Sequence, residues 1–511
     1  MSVSWLKDAV FYEIYPQSFR DTNGDGIGDF NGITEKLDYI RSLGCNALWI
    51  NPCFDSPFRD AGYDVRDYKK VAPRYGTNND LYRLFGEAHR RGIRVLLDLV
   101  PGHTSEEHEW FRKSQKEEKN EYSNRYIWTD HWFRSAPNLN YVGGESERSG
   151  VYVLNFFKCQ PALNYGFLHP TESWQLPADH PDAIATREAM KDVMRFWLDH
   201  GCDGFRVDMA SSLVKFDDEK KSGTSAIWRN VREMLDRDYP EAALVAEWSD
   251  PPLALRAGFH MDFYLNQAGN GYETLMRDYS EKEKDNSYFR KDSDRDIGRF
   301  LTQYLAWYED TKDIGYISLL TCNHDTLRPR FNMEPDELKL AYAFLFTMPG
   351  VPFLYYGDEI GMRYMNIPTK EGGYNRTGSR TPMQWDRTRN LGFSTGCPDS
   401  LYLPVDPADD APTVEEQEKD PSSLLNTVRA IIALRRGNED LQADAPFEVI
   451  CADKGSPFVY RRGKLVLAVN PSGQNAVAAA EGKKVIFSIG SVNVEAGRLA
   501  MGPQSFAVIT D

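Results

Sequence analysis

Two acidic side chains in the middle of the chain have a setting that suits acid–base chemistry at one carbon atom. Asp208 lies two residues after Arg206 in GFRVDMA (204–210), so on an extended strand both side chains point the same way. A guanidinium beside a carboxyl group favours its ionised form. Glu247 lies between an alanine and a tryptophan, and apolar surroundings favour the protonated form of a carboxylic acid. Cleavage of a glycosidic bond requires one ionised and one protonated carboxyl group.

The distance between these two carboxyl groups decides the stereochemistry of such a reaction. A separation of roughly 5 to 5.5 Å makes the mechanism retaining, through a covalent glycosyl-enzyme. We therefore expect Asp208 to act as nucleophile and Glu247 as general acid/base, provided that the fold brings them this close.

The elements that must position these residues are eight short apolar runs, which alternate with amphipathic, helix-like stretches that end at glycine. This alternation predicts an α/β fold of the parallel (β/α)8, or TIM, barrel type. Polar residues follow the apolar part of several runs, and the C-terminal strand ends of a barrel face one mouth, so we expect these side chains to converge. Ordinary helix caps or loop polar groups would explain one or two of them, but not all. The runs are 9–16, 46–52, 94–100, 204–210, 243–248, 261–266, 316–325 and 351–360.

The chain is long enough for more than one domain, and the pattern changes twice along its 511 residues. The connection after the third run is too long for a simple loop and predicts an irregular inserted subdomain. After about residue 440, short strands separated by glycine turns predict an antiparallel β domain. The predicted division is a barrel over 1–103 and 180–440, an inserted subdomain over 104–179, and a C-terminal β-sandwich domain over 441–511.

Composition excludes some classes of partner. The net charge of −16 argues against nucleic acid, which requires a basic face. No apolar run approaches the roughly 20 residues that span a bilayer, and no leader pattern is present. Seven scattered cysteines without a CxxC pair predict buried free thiols in a reducing compartment. We expect a cytoplasmic monomer or weak homo-oligomer with no membrane partner; a secreted protein without its leader is the alternative.

Six motifs, taken in order, resemble the α-amylase superfamily, glycoside hydrolase family 13, over nearly the whole length. The resemblance is strongest to the subgroup of oligo-1,6-glucosidases, α-glucosidases, dextran glucosidases, trehalose synthases and sucrose isomerases. It implies a barrel enzyme that acts on a small oligosaccharide or disaccharide. The motifs are DLVPGH (98–103), QPALN (160–164), GFRVD (204–208), AEW (246–248), NHD (323–325) and RTPMQWD (380–386).

The resemblance implies a role for each matching residue. Asp208 corresponds to the nucleophile, Glu247 to the acid/base, and Asp325 to a third carboxylate that grips two sugar hydroxyls. Further correspondences are His103 and His324, which hydrogen-bond the terminal glucose, Arg206 beside the nucleophile, and Asp98 as a supporting residue.

Four more residues match the subgroup's pattern around the terminal sugar. Asp60 and Tyr63 lie in RDAGYDVRDY, where the tyrosine is implied to stack under the glucose ring. The aspartate is implied to pair with an arginine, here Arg376, and to close the pocket, which makes the enzyme exo-acting. Arg328 keeps the spacing of the family's NHDxxR. A surface salt bridge is the alternative for either arginine.

The segment DTNGDGIGD (21–29) resembles a calcium loop. Oxygen ligands at alternating positions suit a hard cation, although the glutamate of a complete EF-hand is missing. We expect structural Ca²⁺, or Mg²⁺, and no organic cofactor; an empty turn is the alternative. The implied ligands are Asp21, Asn23, Asp25, Asp29 and the backbone carbonyl of Ile27.

The chain departs from the family pattern at positions near the reaction centre. Gly102 stands where the family usually has Asn before the histidine, which puts a second calcium site of many α-amylases in doubt. Ala162 stands where the subgroup often has Asp. Met209, after the nucleophile, is neither the small residue that accompanies α-1,4 preference nor the valine of α-1,6 preference, so the linkage stays open.

Three functions compete. The leading hypothesis is an exo-acting α-glucosidase, and the second is an isomerase or glucosyltransferase of the trehalose synthase or sucrose isomerase type, which shares the glucosyl-enzyme. The third is a non-catalytic relative such as a transporter heavy-chain ectodomain. Such relatives lack catalytic residues and carry a membrane helix, whereas this chain keeps Asp208, Glu247 and Asp325.

Overall fold

The computed structural model describes residues 3–265, 267, 269–278, 284–372, 375–479 and 482–510. Asn266, the last residue of the sixth predicted apolar run, lies outside the described residues. So do the two ends of the predicted domain division, residues 1–2 and 511.

The predicted barrel is confirmed. Neighbouring strands are parallel and follow one another in chain order, and a parallel bridge between Leu320 and Phe353 closes the ring. The strands are shorter than the predicted apolar runs because the polar ends of the runs belong to loops above the barrel. They are β1 (Phe11–Ile14), β2 (Ala47–Ile50), β3 (Arg94–Leu99), β4 (Gly204–Val207), β5 (Ala243–Ala246), β6 (Met261–Phe263), β7 (Tyr316–Ser318) and β8 (Phe353–Tyr355).

Amphipathic helices pack outside the strands. In Asn78–Arg90, Leu81, Leu84, Phe85 and Ala88 are buried, which is the spacing of one helical face. Thr77 begins this helix with a capping box, in which its side chain accepts from the N–H of Asp80. The other helices are Phe30–Glu35, Leu37–Leu43, Glu109–Ser114, Pro181–Asp199, Ser222–Asp238, Pro251–Arg256, Glu273–Met276, Gly298–Thr311, Pro335–Thr347, Val414–Lys419 and Leu424–Arg436.

The long connection between β3 and β4 contains little regular structure. Besides the helix Glu109–Ser114, it forms an antiparallel pair of strands, Tyr141–Gly143 and Val151–Val153. Its returning segment lies against the loop after β3, where an isolated bridge joins His103 and Ala162. The connection is therefore attached to the mouth of the barrel. A second small antiparallel pair, Phe54–Asp55 with Asp67–Val71, follows β2.

The C-terminal segment forms two antiparallel sheets, as predicted. Residues from both sheets, among them Val466 and Leu499, share one apolar cluster. The boundaries of the predicted domains stay predictions. The strands are β9 (Phe447–Cys451), β10 (Phe458–Arg462), β11 (Leu465–Asn470), β12 (Ala476–Ala479), β13 (Lys484–Ile489), β14 (Val492–Glu495), β15 (Arg498–Met501) and β16 (Ser505–Thr510), in the orders β9-β10-β11-β16-β13 and β12-β15-β14.

The cysteines are free thiols, and five of them are buried as predicted. Cys397 is exposed and Cys451 is half-buried, because both lie in peripheral segments rather than in the barrel core. Within the described part of the chain, no helix combines the length and apolar character needed to cross a membrane.

Candidate active site

A cavity of about 290 Å³, open to solvent, lies at the C-terminal ends of the barrel strands. Its volume is close to the lower end of the range of small-molecule sites. Its lining brings together residues from the loops after β2, β3, β4, β5, β6, β7 and β8. Lining residues that the sequence predicted are Asp60, Tyr63, His103, Asp208, Glu247, Asp325 and Arg376; those that it did not are Phe156, Met209, Ser211, Trp248, Leu265 and Gln267.

A single buried guanidinium holds three carboxyl groups beneath this cavity. Arg206 in β4 contacts Asp98 of β3 at 2.8 Å and Asp208 at 3.2 Å through one terminal nitrogen. Its other terminal nitrogen lies 2.8 Å from Glu247 Oε2. Asp208 and Glu247 each follow directly on the last residue of their strand, so neighbouring barrel strands place them side by side.

The charge state of the pair depends on opposing effects. Burial and the neighbouring Glu247 raise the pKa of Asp208 well above its ordinary value, while Arg206 acts in the opposite direction. Burial raises the pKa of Asp98 to about 6, again against Arg206. Arg206 therefore lowers the pKa of Asp208, as the sequence suggested, but burial and the charge of Glu247 outweigh it.

Backbone strain lies next to both carboxyl groups. Met209 and Ser249 have φ of 43° and 60°, in the left-handed region that non-glycine residues rarely adopt. Such conformations cost of order 1–3 kcal/mol each. At Met209 this conformation directs the backbone N–H to Glu247 Oε2 at 3.0 Å, which ties the strand carrying Asp208 to the second carboxyl group.

Asp325 is held by two arginines. Arg376 contacts its Oδ1 at 2.8 Å and Arg380 at 2.7 Å. Burial alone would raise the pKa of Asp325, but His324 and the two guanidinium groups hold it well below its ordinary value. Arg376 also pairs with Asp60, whose Oδ2 accepts a 2.7 Å bond from Gln160. Sequence reasoning missed Arg380 and Gln160 as functional residues, although each begins a quoted motif.

Tyr63 and His324 form a stacked pair, with ring centroids 5.5 Å apart and planes inclined by 15°. A 2.6 Å hydrogen bond joins the tyrosine hydroxyl to His324 Nε2. Burial lowers the pKa of His324 well below its ordinary value, although the neighbouring Asp325 acts in the opposite direction. His324 is fully buried and does not line the cavity, whereas Tyr63, on which it stacks, does.

His103 is buried at the edge of the cavity. Its Nε2 lies 3.1 Å from the carbonyl oxygen of Tyr63, and Asn155 Nδ2 lies 3.1 Å from its Nδ1. Burial lowers the pKa of His103 to about 3, so this ring is neutral. Asn155 is a further contact that the motifs did not indicate.

The structure does not bring Arg328 to the cavity. Its guanidinium is fully buried and donates to the carbonyl oxygen of Tyr356 at 2.8 Å and to Asp358 Oδ1 at 2.9 Å. The NHDxxR spacing places this side chain below the loop, toward the segment after β8, so its contacts are those of a fold-stabilising ion pair.

The predicted calcium loop is closed by hydrogen bonds of its own. Asp21 accepts from the backbone N–H groups of Gly24 and Gly26 at 2.7 and 2.8 Å, and Asp29 accepts from Gly32 at 2.8 Å as a helix N-cap. Among the residues that the structure describes, no three His, Cys, Asp or Glu side chains are close enough to hold a metal ion. As placed, the carboxylates of the loop do not form such a ligand group.

Comparison with known proteins agrees with this geometry. The family model for the α-amylase catalytic domain matches residues 13–444. A trehalose synthase/amylase TreS of Mycolicibacterium smegmatis is 35% identical over 90% of this chain and 80% of its own length. An oligo-1,6-glucosidase of Heyndrickxia coagulans is 32% identical over 93% of both chains. The trehalulose synthase MutB of Pseudomonas mesoacidophila MX-45 superposes with a TM-score of 0.82 at 25% identity over 99% of both chains.

The match covers most of the chain, and the relatives include both hydrolases and isomerases. A solved MutB variant holds isomaltulose. The barrel, its paired carboxyl groups and the family match give one conclusion: this chain belongs to the α-amylase family and is a glycoside hydrolase-type enzyme.

Proposed function

We propose that this enzyme is a retaining, exo-acting α-glucosidase that hydrolyses terminal α-glucosidic bonds of short oligosaccharides or disaccharides. The observation that carries the proposal is the joint hold of Arg206 on Asp208 and Glu247 beneath one cavity. Two carboxyl groups that share a guanidinium favour the close spacing of a retaining enzyme over the roughly 6.5–9.5 Å of an inverting one.

The first step forms a glucosyl-enzyme. Asp208 attacks the anomeric carbon while Glu247 gives its proton to the departing glycosidic oxygen, so the C–O bond breaks as the carboxylate ester forms. In the second step Glu247, now ionised, takes a proton from water, and the water oxygen displaces Asp208. Asp325, kept ionised by its two arginines, accepts hydrogen bonds from sugar hydroxyls and stabilises the positive charge of the transition state.

Exo action is supported by the acidic and basic groups that converge at one end of the cavity. Arg376 bridges Asp60 and Asp325, and the side chains of all three are mostly or wholly withdrawn from solvent. An ion pair across the pocket would obstruct a chain that continued beyond the terminal sugar. We infer that the glucose ring lies between this bridge and the catalytic pair, with Tyr63 beside it.

An isomerase or glucosyltransferase is the second candidate. It shares the glucosyl-enzyme, but a sugar hydroxyl replaces water as the attacking group. Apolar side chains on the cavity wall support it, because they can exclude water and retain a leaving sugar: Phe156, Met209, Trp248 and Leu265. Relatives named trehalose synthase and trehalulose synthase lend further support.

Product analysis separates the two candidates. The purified enzyme is incubated with maltose and with sucrose, and the products are resolved by chromatography, with the Asp208→Asn variant as the blank. Free glucose as the main product supports hydrolysis, whereas a disaccharide of equal mass supports isomerisation. A panel of maltose, isomaltose, sucrose, trehalose and nigerose then identifies the linkage.

Three earlier expectations also stand as proposals. We propose that loop 21–29 binds Ca²⁺ or Mg²⁺ in a structural role, supported by its alternating oxygen-bearing side chains. We also propose a cytoplasmic location and a monomeric or weakly self-associating state.

A further inference from the structure

We propose that Asn155, oriented by Lys215, is a positioning residue that fixes the ring tautomer of His103 and so decides which hydrogen bond the enzyme offers to its sugar. Asn155 belongs to the connection between β3 and β4, whereas Lys215 follows β4. The role in sugar binding rests on the proposed function, but the tautomer itself does not.

Lys215 determines which way the amide of Asn155 faces. Its Nζ lies 2.9 Å from Asn155 Oδ1 and 2.9 Å from the carbonyl oxygen of Ser212. An ammonium group only donates hydrogen bonds, so the amide oxygen must face the lysine and the NH₂ group must face away from it. Burial lowers the pKa of Lys215 to about 8, so the group still carries its proton at neutral pH.

The amide in turn determines the protonation of His103. Asn155 Nδ2 lies 3.1 Å from Nδ1 of the ring, and an amide nitrogen donates, so Nδ1 is the unprotonated nitrogen. The remaining ring proton is then on Nε2, which donates to the carbonyl oxygen of Tyr63 at 3.1 Å. A neutral imidazole carries one N–H proton, and these hydrogen bonds place that proton on Nε2.

Gly102 makes room for this arrangement. A Cβ atom at residue 102 would lie 2.7 Å from Asn155 Nδ2, closer than such atoms approach. The loop cannot retreat easily, because the N–H of Leu163 donates to the Gly102 carbonyl oxygen at 3.1 Å. The glycine that departs from the family's Asn-His pair and the asparagine at 155 are therefore one coupled feature of this chain.

The consequence is a defined donor at the cavity edge, close to the nucleophile. Asn155 Nδ2 also lies 3.9 Å from the sulfur of Met209, the residue after Asp208. A sugar hydroxyl that approaches Nε2 shares the N–H that already donates to the carbonyl oxygen of Tyr63, and it must therefore accept. The opposite tautomer would present a lone pair both to this carbonyl oxygen and to the hydroxyl, and would weaken binding of the sugar.

The test is nitrogen NMR on enzyme labelled with ¹⁵N-histidine, with His103 assigned from the signal that disappears in His103→Gln. In the native enzyme, we expect an unprotonated Nδ1 and a protonated Nε2. Asn155→Asp replaces the donor by an acceptor of the same shape and should move the proton to Nδ1. Lys215→Met frees the amide to rotate and should give a mixture. Asn140→Asp, at an exposed position of the same connection, is the matched control and should change nothing.

Kinetics on an aryl α-glucoside supplies the second measurement. Asn155→Asp should lower kcat/KM about 10- to 100-fold, mainly through KM, as expected for one hydrogen bond reversed at a buried site. Gly102→Ala should disturb the tautomer, and the double variant Gly102→Ala with Asn155→Gly should fold as well as the native enzyme, because it relieves the clash.

The outcomes are distinguishable from failure of the proposed function. A protonated Nδ1 in the native enzyme, or an unchanged His103 signal in Asn155→Asp, would overturn the inference. The expected signals in an enzyme that turns over no α-glucoside would uphold it and reject the proposed function instead.

Discussion

Removal of the shared guanidinium should move the pH dependence of the reaction as well as its rate. Arg206 lies within 3.2 Å of Asp208 and 2.8 Å of Glu247. In Arg206→Met the pair loses the cation that opposes burial, so both of its proton-binding steps should move to higher pH. An opposite charge this close is worth about 1 to 3 pKa units at a buried site.

The magnitude follows from the geometry. At an effective dielectric constant of about 20, two unit charges 4 Å apart interact by about 4 kcal/mol, close to three pKa units. We therefore expect the bell-shaped profile of kcat/KM to shift up by about 1 to 3 pH units. Below the acidic limb this shift corresponds to a loss of about 10- to 1,000-fold, while part of the activity returns at alkaline pH.

The loss in free energy of unfolding caused by Arg206→Met should also depend on pH. Removal of one partner from a buried ion cluster costs about 3–5 kcal/mol. The pKa of Asp98, about 6, is raised above its unfolded value, so its favourable contribution is present at low pH and is lost as pH rises through about 6. The variant should accordingly lose more free energy of unfolding at about pH 8 than at about pH 5, where its carboxyl groups take up protons.

The assay is initial rates on an aryl α-glucoside across the pH range, with urea unfolding as the measure of stability. Arg206→Lys is the control, because it keeps the charge while it loses the fork that reaches both carboxyl groups. Its profile should shift less than that of Arg206→Met. A profile that falls uniformly in Arg206→Met without moving along the pH axis would refute the electrostatic reasoning.

Four further variants or treatments test the site. Asp208→Asn should abolish turnover and leave the unfolding midpoint in place; a near-normal rate would contradict its role as nucleophile. Glu247→Gln should lose far more activity on disaccharides than on aryl glucosides with good leaving groups, which need no protonation, and equal losses would count against the acid role. Arg376→Ala leaves two carboxylates without the guanidinium that bridges them, so kcat/KM on disaccharides should fall about 10- to 1,000-fold. Activity on longer glucans relative to disaccharides should rise, and an unchanged ratio of these two activities would count against exo closure. Ca²⁺ added to chelator-treated enzyme should raise Tm by a few degrees through loop 21–29; an unchanged Tm would reject the cation.

The sequence was sufficient to predict the barrel because strand and helix periodicities alternate along the chain. Apolar runs of strand length fix the number and order of the strands, and polar residues after each run fix which end carries the chemistry. Asp208 and Glu247 could be placed side by side from position alone, since β4 and β5 are neighbours in a barrel of sequential strands.

Contacts between segments distant in sequence could not be predicted in this way. Arg380 reaches Asp325 from 55 residues away, and Lys215 reaches Asn155 from 60. Arg328 keeps its motif spacing but is turned toward Asp358 instead of the cavity. Motif spacing specifies the position of a residue along the chain. It does not specify the direction in which the side chain points or the residue that it contacts.

The chain's own residues thus determined the fold and the family, and they predicted which carboxyl groups react, because these depend on local pattern and strand order. Only the tertiary structure decided the charge and orientation of the groups around them. Burial, which the sequence does not state, raises the pKa of Asp208 against Arg206 and keeps His103 neutral. Those properties arise from what surrounds each group in space, and that environment exists only after the barrel has closed.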